Sequence, residues 1–409
     1  MVITYRVPAI IFEEYGGYYM CRLLLIVVIV TSIACQNSAD ETNTSEQERL
    51  VHPIPTAIPG FSNASDFVTR NRPSERKDDN WPMVQALSMA TETMTLGVLE
   101  GNKHQMFGQI VDIKVDGDGN LYVLDSQFRE VRVYSADGTY LYAIGRAGQG
   151  PDEFSAPKAI DVDPSGRVIV ADRSTGIKIF ERTGDTHGLV ATMPLPFEPQ
   201  DICVENNVLH VQGSTAEDPR AIFRFTLSGD ALSSFGTAYD ARSELVRLAF
   251  TRGQIVCMHQ PASVMYFPSW LPVIYGYSYD GDLQWVTKAT DFESLPVEEQ
   301  IESSGRSRVS MNVRANTYDM VVSAVPLPEG QVIVQIAHLT PESVAASGDR
   351  YAEIHTYVMS ALTGEASFAG NSLPLVYAVT ATRMYTARQN PFPQIIIYRF
   401  PRPLEPIGV

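Results

Sequence analysis

Short apolar segments separated by turn residues run along most of this chain and repeat. Residues 111–125 align with residues 158–172 at a constant offset of 47 (158 − 111). Each copy consists of two apolar segments joined by a glycine turn and followed by an aspartate, Asp125 or Asp172. Weaker copies continue to residue 400, and in the fourth copy the predicted strands are 246–250, 254–258, 273–279 and 283–286. This pattern predicts a repeated unit of four short antiparallel strands.

The predicted strands at 121–124, 168–171 and 332–336 are apolar on both faces. A sheet with one solvated face would alternate apolar and polar residues, so these strands must be covered on both sides by other sheets. A ring of stacked four-stranded sheets provides this cover. The sequence therefore predicts an all-β fold, a six-bladed β-propeller of four-stranded antiparallel blades, with an N-terminal strand at 94–100 completing the last blade.

The first two copies also carry family-specific features. Residues 121–134 resemble the NHL repeat. Residues 146–154, with Pro157, resemble the loop that links successive blades in NHL proteins and in bacterial six-bladed-propeller lipoproteins. The resemblance implies a six-bladed propeller. Several NHL-like six-bladed propellers are enzymes, so the resemblance is also compatible with a catalytic function.

Long connections concentrate on one face of the predicted ring. When the strands of a blade are lettered a to d from the inside outwards, the b–c and d–a connections lie on one face, which we name the long-loop face. The a–b and c–d connections lie on the opposite face, the turn face. The longest predicted connections, 259–272, 289–319 and 338–352, all belong to the long-loop face of neighbouring blades. Long loops on a rigid scaffold commonly carry binding sites.

These connections supply candidate binding residues. The first contains an aromatic cluster, and the second contains a predicted short helix at 295–301 followed by three arginines. We expect this face to bind a protein, peptide or glycan partner. In an alternative that stays open, the same segments pack over the central channel and the aromatic residues form a local core. The candidate residues are Tyr266, Phe267, Trp270, Arg306, Arg308, Arg314, His259, His338 and Arg146.

Three histidines offer a different function. His259 and His338 both follow a predicted strand b, and His104 precedes blade 1, so all three could reach the channel mouth. With Zn²⁺ or Ca²⁺ they would support a metal-dependent hydrolase or lyase. Hydrogen-bonded loop histidines would explain the same residues. The main prediction therefore includes no metal, cofactor or catalytic residue.

Two residue pairs receive structural roles. Asp125 and Asp172 are expected to cap b–c turns with their side chains. Cys203 and Cys257 are expected to be buried free thiols, because Cα atoms in packed sheets usually lie too far apart for a disulfide.

The N-terminal region predicts export. Residues 23–30 are wholly apolar, follow Arg22 and precede small residues. This is the layout of a signal peptide, and the run is too short to span a membrane. Residues 32–35 (Ser-Ile-Ala-Cys) resemble the lipobox of bacterial lipoproteins, which implies a lipid on Cys35, and Gln36 then implies outer-membrane sorting.

The predicted domains are a signal peptide (1–34, of which 1–19 could be a mis-called start), a lipidated cysteine with a flexible tether (35–82), the propeller (83–401) and a C-terminal tail (402–409).

The charge narrows the range of partners. The chain carries a formal net charge of −16, which opposes binding to the phosphates of nucleic acids. Its 44% of hydrophobic residues is ordinary for a globular protein. Together these observations predict an exported lipoprotein of the bacterial envelope whose propeller is a binding or scaffolding module.

Overall fold

A computed structural model of the chain describes residues 48–52, 58–67, 82–241, 243–301, 307–345 and 353–404. The segments before the first blade are β1 (Glu48–His52), β2 (Ser65–Phe67), α1 (Pro82–Ser88) and β3 (Thr91–Leu96). Blade 1 contains β4 (Ile110–Val115), β5 (Leu121–Asp125), β6 (Glu130–Tyr134) and β7 (Tyr140–Ile144). Blade 2 contains β8 (Pro157–Val162), β9 (Val168–Asp172), β10 (Gly176–Thr183) and β11 (Thr186–Met193).

The remaining blades follow in chain order. Blade 3 contains β12 (Asp201–Glu205), β13 (Val208–Gln212), β14 (Arg220–Thr226) and β15 (Phe235–Thr237), followed by α2 (Glu244–Thr251). Blade 4 contains β16 (Gly253–Met258), β17 (Ser263–Pro268), β18 (Val273–Ser278) and β19 (Leu283–Ala289), followed by the hairpin strands β20 (Val297–Ile301) and β21 (Ser307–Met311). Blade 5 contains β22 (Tyr318–Leu327), β23 (Gln331–Leu339), α3 (Pro341–Ala345), β24 (Glu353–Ser360) and β25 (Ala366–Gly370). Blade 6 contains β26 (Leu375–Val379), β27 (Arg383–Arg388) and β28 (Gln394–Arg399).

The ring closes in blade 6. β3 pairs antiparallel with β28, so that Leu96 lies opposite Ile395 and Thr91 lies opposite Arg399. The prediction of six four-stranded blades closed by an N-terminal strand is therefore confirmed, with this strand beginning at Thr91.

The blades are held together mainly by apolar packing between neighbouring sheets. Every residue of β5 and β9 is buried, as the two-sided apolar pattern predicts. Leu124 and Val170, for example, lie in one continuous cluster between blades 1 and 2. Burying such a side chain contributes about 1.5–3 kcal/mol, so the stacked sheets supply most of the stability.

Carboxylates join the innermost strands of blades 1 to 4. Asp112, Asp161 and Asp201 each accept a backbone N–H from their own strand and another from the inner strand of the next blade. Burial raises the pKa of Asp161 to about 6 and that of Asp201 to about 7, although the Lys114 ammonium opposes the shift. The inter-blade N···O distances are 3.0 Å for Ile160 to Asp112, 2.7 Å for Val204 to Asp161 and 2.9 Å for Ile255 to Asp201.

Asp125 and Asp172 have the structural role that their place in the repeat predicts. Each carboxylate accepts two N–H groups of the b–c turn that follows it, and this confirms the prediction. Each also accepts two N–H groups of the loop that precedes strand a of its own blade. One buried aspartate therefore joins two connections on the long-loop face.

Blade 4 differs from its predicted strand order. The segment 246–250, expected to be strand a, is part of α2, with Val246, Ala249 and Phe250 buried at helical spacing. Strand a is therefore β16, and strand b is β17. The connection 259–262 after β16 therefore lies on the turn face, whereas 269–272, which follows β17, lies on the long-loop face as predicted.

Cys203 and Cys257 form a disulfide, so the prediction of free thiols is wrong. Cys203 lies on β12 and Cys257 on β16, the innermost strands of neighbouring blades. Blades converge towards the axis of a propeller, so the two Cα atoms are only 5.7 Å apart. This distance is well below the ~10 Å usual between packed sheets.

Part of the predicted tether (35–82) is packed on the propeller. β1 pairs with β20, β2 pairs in parallel with β19 as a fifth strand of blade 4, and Ile58 is buried beside blade 4. Pairing and burial offset the ordering entropy on which the prediction of a mobile segment rested. In the predicted tail, Leu404 is likewise buried. The signal peptide (1–34) and Cys35 lie outside the described residues, and no helix within the described ranges has the length and apolar character of a membrane span.

Candidate functional site

The long-loop face carries structured insertions in three neighbouring blades. α2 follows blade 3, the β20–β21 hairpin follows blade 4, and α3 lies between strands b and c of blade 5. The predicted connections 289–319 and 338–352 are therefore on this face. The predicted connection 259–272 is not one continuous loop, because residues 263–268 within it form strand β17.

The hairpin forms a three-stranded cap sheet with β1, in which β20 is the central strand and β21 is an edge strand. The helix predicted at 295–301 is wrong. Leu295, Val297 and Glu299 are fully buried, and this spacing of two is the period of a strand with one covered face. Val309 and Met311 of β21 pack against the propeller core. The inner side of the cap sheet thus agrees with the alternative in which the insertion packs over the ring.

The outer side of the cap sheet is polar, with Glu298 and Gln300 of β20 beside the basic edge strand β21. Arg308 and Ser310 of β21 are exposed, as is Arg314 just beyond the strand. Neither arginine forms an ion pair within the described part of the chain. Within the same part, β21 has a strand partner on one side only. The third predicted arginine, Arg306, lies outside the described residues.

The aromatic candidates lie inside the protein. Tyr266 and Phe267 are 1% and 0% exposed on β17, and the Tyr266 hydroxyl donates a hydrogen bond to the carbonyl of Thr251. Their predicted place in a loop is therefore wrong. Trp270 does lie in a b–c connection, where its ring packs 5.6 Å from that of Tyr318 at the base of the cap sheet.

A row of carboxylates and histidines crosses the long-loop end of blade 5. Asp319, His338 and Glu353 are consecutive cross-strand neighbours on β22, β23 and β24. His338 Nδ1 lies 2.7 Å from Asp319 Oδ1, and His355 Nε2 lies 3.1 Å from Glu353 Oε1. A hydrogen bond from Asn371, followed by the neighbouring histidines, lowers the pKa of Glu353. Sequence reasoning found only His338, because its partners become neighbours through strand register.

The three histidines of the predicted metal site are far apart in the fold. His259 follows strand a of blade 4 and therefore lies on the turn face, with Nδ1 2.9 Å from Glu205 Oε1. His104 stacks on Tyr140 between blades 6 and 1, with ring centroids 4.7 Å apart. His338 lies on the long-loop face of blade 5. The prediction of a shared site for His259, His338 and His104 is therefore wrong.

Another group of possible metal ligands is already occupied by a covalent bond. Among the described residues, the ligand atoms of Cys203, His210 and Cys257 alone form a set of three lying within 4.8 Å of one another. Both sulfur atoms belong to the disulfide, so they are unavailable as thiolates.

Arg146 is bound within its own loop. Its Nε lies 2.9 Å from Glu153 Oε1, and the Gly150 N–H donates to the same carboxylate at 2.8 Å. The Gly150 N–H, followed by Arg146, lowers the pKa of Glu153. Arg146 thus helps to order the connection between blades 1 and 2, apart from the cap sheet.

These observations define the class: a six-bladed β-propeller with a structured cap over one face. The family model for DUF5128, described as a 6-bladed beta-propeller, matches residues 87–320, more than half of the chain. The chain therefore belongs to the DUF5128 family.

Several solved structures are similar to this chain, and the first of those described next supports the fold. A Bacteroides fragilis protein described as exported is similar at 11% identity and a TM-score of 0.52, over 83% of this chain and 99% of that chain. A DUF4221 family member from Bacteroides vulgatus is similar at 10% identity and a TM-score of 0.49, over 76% of this chain and 98% of that chain. Virginiamycin B lyase from Staphylococcus aureus is similar at 11% identity and a TM-score of 0.42, over 75% of this chain and 98% of that chain. No curated protein matches the sequence.

Proposed function

We propose that this chain is an exported, lipid-anchored protein of the bacterial envelope whose propeller binds another protein through the outer side of the cap sheet. The observation that carries the proposal is the pair of exposed arginines, Arg308 and Arg314, on and beside an edge strand of a chain with a net charge of −16. Two exposed cations that form no ion pair with any other described residue favour a partner of opposite charge, since the rest of the protein is strongly acidic.

Among a protein, peptide or glycan partner, the edge strand of the cap sheet favours an extended segment of a protein. An edge strand presents N–H and C=O groups that another strand can pair with. The same hairpin already accepts a strand on its other side, because β1 pairs along the whole of β20. An acidic, extended segment that pairs with β21 would add contacts to Arg308.

Reversing the two charges should abolish capture of this partner. In Arg308→Glu/Arg314→Glu, we expect at least about a tenfold loss of binding, since attraction becomes repulsion at the interface. The measurement is pull-down from envelope extracts by the immobilised protein, with captured proteins quantified by mass spectrometry. A photo-crosslinking residue at position 308 identifies the bound segment.

The matched control carries the same charge reversal on the turn face. Arg182→Glu/Arg399→Glu alters two exposed arginines at the turn-face ends of β10 and β28. It should retain the partner. Equal capture by both double variants, or crosslinks to lipid or glycan only, would show that the cap sheet is not a protein-binding surface.

The lipid anchor is a separate part of the proposal and rests on the residues around Cys35. Metabolic labelling with a palmitate analogue in a bacterial host should mark the wild-type chain and disappear in Cys35→Ala. Cys21→Ala is the control and should still be labelled, because only Cys35 follows small residues in the lipobox order. Labelling that persists in Cys35→Ala would refute acylation at this position.

A further inference from the structure

A cleft opens on the outside of the ring where blades 6 and 1 meet. It has a volume of about 330 Å³, at the lower end of the range for small-molecule sites. One wall is the end of β3, from Thr95 to Val98, and the other is the c–d turn of blade 1. Gly138 closes one end, because a Cβ there would lie 2.9 Å from side-chain atoms of Met94 and Leu96. We name this feature the seam cleft.

Aromatic rings form much of its lining. The rings of His104 and Tyr140 stack with an interplanar angle of 19°. Tyr134 meets Tyr140 edge to face at 5.7 Å, and its hydroxyl fixes the loop by donating to the His104 carbonyl at 2.7 Å. Phe107 packs beside Tyr134. The aromatic wall is therefore held in place before any ligand arrives.

Several polar groups in the seam cleft have no protein partner. The ring nitrogens of His104 and the hydroxyl of Tyr140 make no hydrogen bond to any residue in the described ranges. The exposed hydroxyl of Thr139 donates to the Asp137 carboxylate, which is not part of the lining. The lining contains no Asp, Glu, Lys or Arg. A charged ligand would therefore lose hydration without meeting an opposite charge. A wholly apolar ligand would leave the imidazole of His104 and the hydroxyl of Tyr140 without partners.

We propose that the seam cleft binds a neutral saccharide. A pyranose ring has an apolar C–H face that packs on aromatic rings and hydroxyl groups at its edge that hydrogen-bond to imidazole and hydroxyl side chains. The seam cleft offers both kinds of surface with no charge. No residue of the cap sheet lines this cleft, and the proposal does not depend on the proposed function.

The test uses the full chain and four neutral disaccharides: cellobiose, maltose, lactose and N,N′-diacetylchitobiose. Saturation-transfer NMR detects binding, and isothermal titration calorimetry measures its affinity. We expect binding of at least one disaccharide and about a tenfold loss of affinity in Tyr140→Ala, which removes the stacking surface. Thr139→Val, which changes one exposed hydroxyl to a methyl, should weaken binding with little effect on the fold.

Two controls make the outcome decisive. Leu141→Ala alters an exposed residue on the same strand that does not line the cleft, so it should bind like the wild type. Arg308→Glu/Arg314→Glu should also bind saccharide normally, which separates this proposal from that for the cap sheet. The proposal is overturned if none of the four disaccharides binds, if Tyr140→Ala and Thr139→Val both bind like the wild type, or if digalacturonate binds as well as the neutral sugars.

Discussion

Replacing Asp172 with alanine should lower the free energy of unfolding by about 4 kcal/mol, because four backbone donors lose their acceptor and each unsatisfied buried donor costs about 1–3 kcal/mol. The carboxylate is 0% exposed. It accepts N–H groups of Ser155 and Ala156 at 2.8 and 2.9 Å, and of Ser174 and Thr175 at 2.9 and 3.2 Å. Partial entry of water keeps the loss below the sum of four full penalties.

A buried cation increases this effect. Lys178 is 2% exposed and donates hydrogen bonds to the carbonyls of Gly150 and Glu153, in the loop that Asp172 also holds. Burial lowers the pKa of Lys178, while the Asp172 carboxylate acts in the opposite direction. Removing the carboxylate would leave the ammonium with less compensation for its lost hydration.

Urea-induced unfolding followed by circular dichroism measures the loss. Asp172→Asn keeps one oxygen acceptor. Its free energy of unfolding should therefore lie between those of the wild type and Asp172→Ala. Asp185→Ala, an exposed aspartate in the c–d turn of the same blade, should change the free energy of unfolding by less than about 0.5 kcal/mol. If Asp172→Ala lowered the free energy of unfolding no more than Asp185→Ala, the four hydrogen bonds to the Asp172 carboxylate would contribute nothing to stability.

Removing the disulfide should cost a similar amount. Cys203 and Cys257 are separated by 54 positions in sequence. In the chain-entropy treatment, a cross-link that closes a loop of this length stabilises the folded state by about 4 kcal/mol. The double variant Cys203→Ser/Cys257→Ser should therefore unfold at a clearly lower urea concentration than the oxidised protein.

Reduction supplies an independent comparison. All these proteins also carry Cys21→Ser and Cys35→Ser, so that Cys203 and Cys257 are the only cysteines present. After reduction with dithiothreitol, the protein that retains Cys203 and Cys257 should unfold at the same urea concentration as the double variant, since both lack the cross-link. The double variant itself should not respond to dithiothreitol. If oxidised, reduced and substituted proteins unfolded together, the bond would not stabilise the ring.

The sequence predicts blades 1 and 2 well for a physical reason. Their turn glycines and aspartates are the groups that the backbone needs, so the same residues recur at 125 and 172. Blade 4 shows where this reasoning fails. The five residues 246–250 fit a short strand as well as a helix. Assigning them to a strand makes β16 strand b, moves the connection 259–262 to the opposite face and leaves no place in the blade for β17. That single error placed His259 beside His338 and put Tyr266 in a loop.

Other features depend on distances that sequence spacing does not contain. The convergence of blades near the axis brings Cys203 and Cys257 together, and strand register places Asp319 beside His338. The seam cleft joins β3 to the c–d turn of blade 1, so it exists only when the ring is closed. No local pattern marks Tyr140 as part of such a site.

The pairing of β3 with β28 also constrains how the molecule is made. Leu96 and its cross-strand neighbour Ile395 are 299 positions apart (395 − 96), so a ribosome must synthesise nearly the whole polypeptide before β3 and β28 can pair. Until then β3 has no pairing partner, and contacts of such long range form slowly. A nascent chain halted before residue 394 would remain an open arc. In it β3 stays unpaired and the apolar sheet faces that meet between blades 1 and 6 stay uncovered, and chaperones and proteases recognise such surfaces.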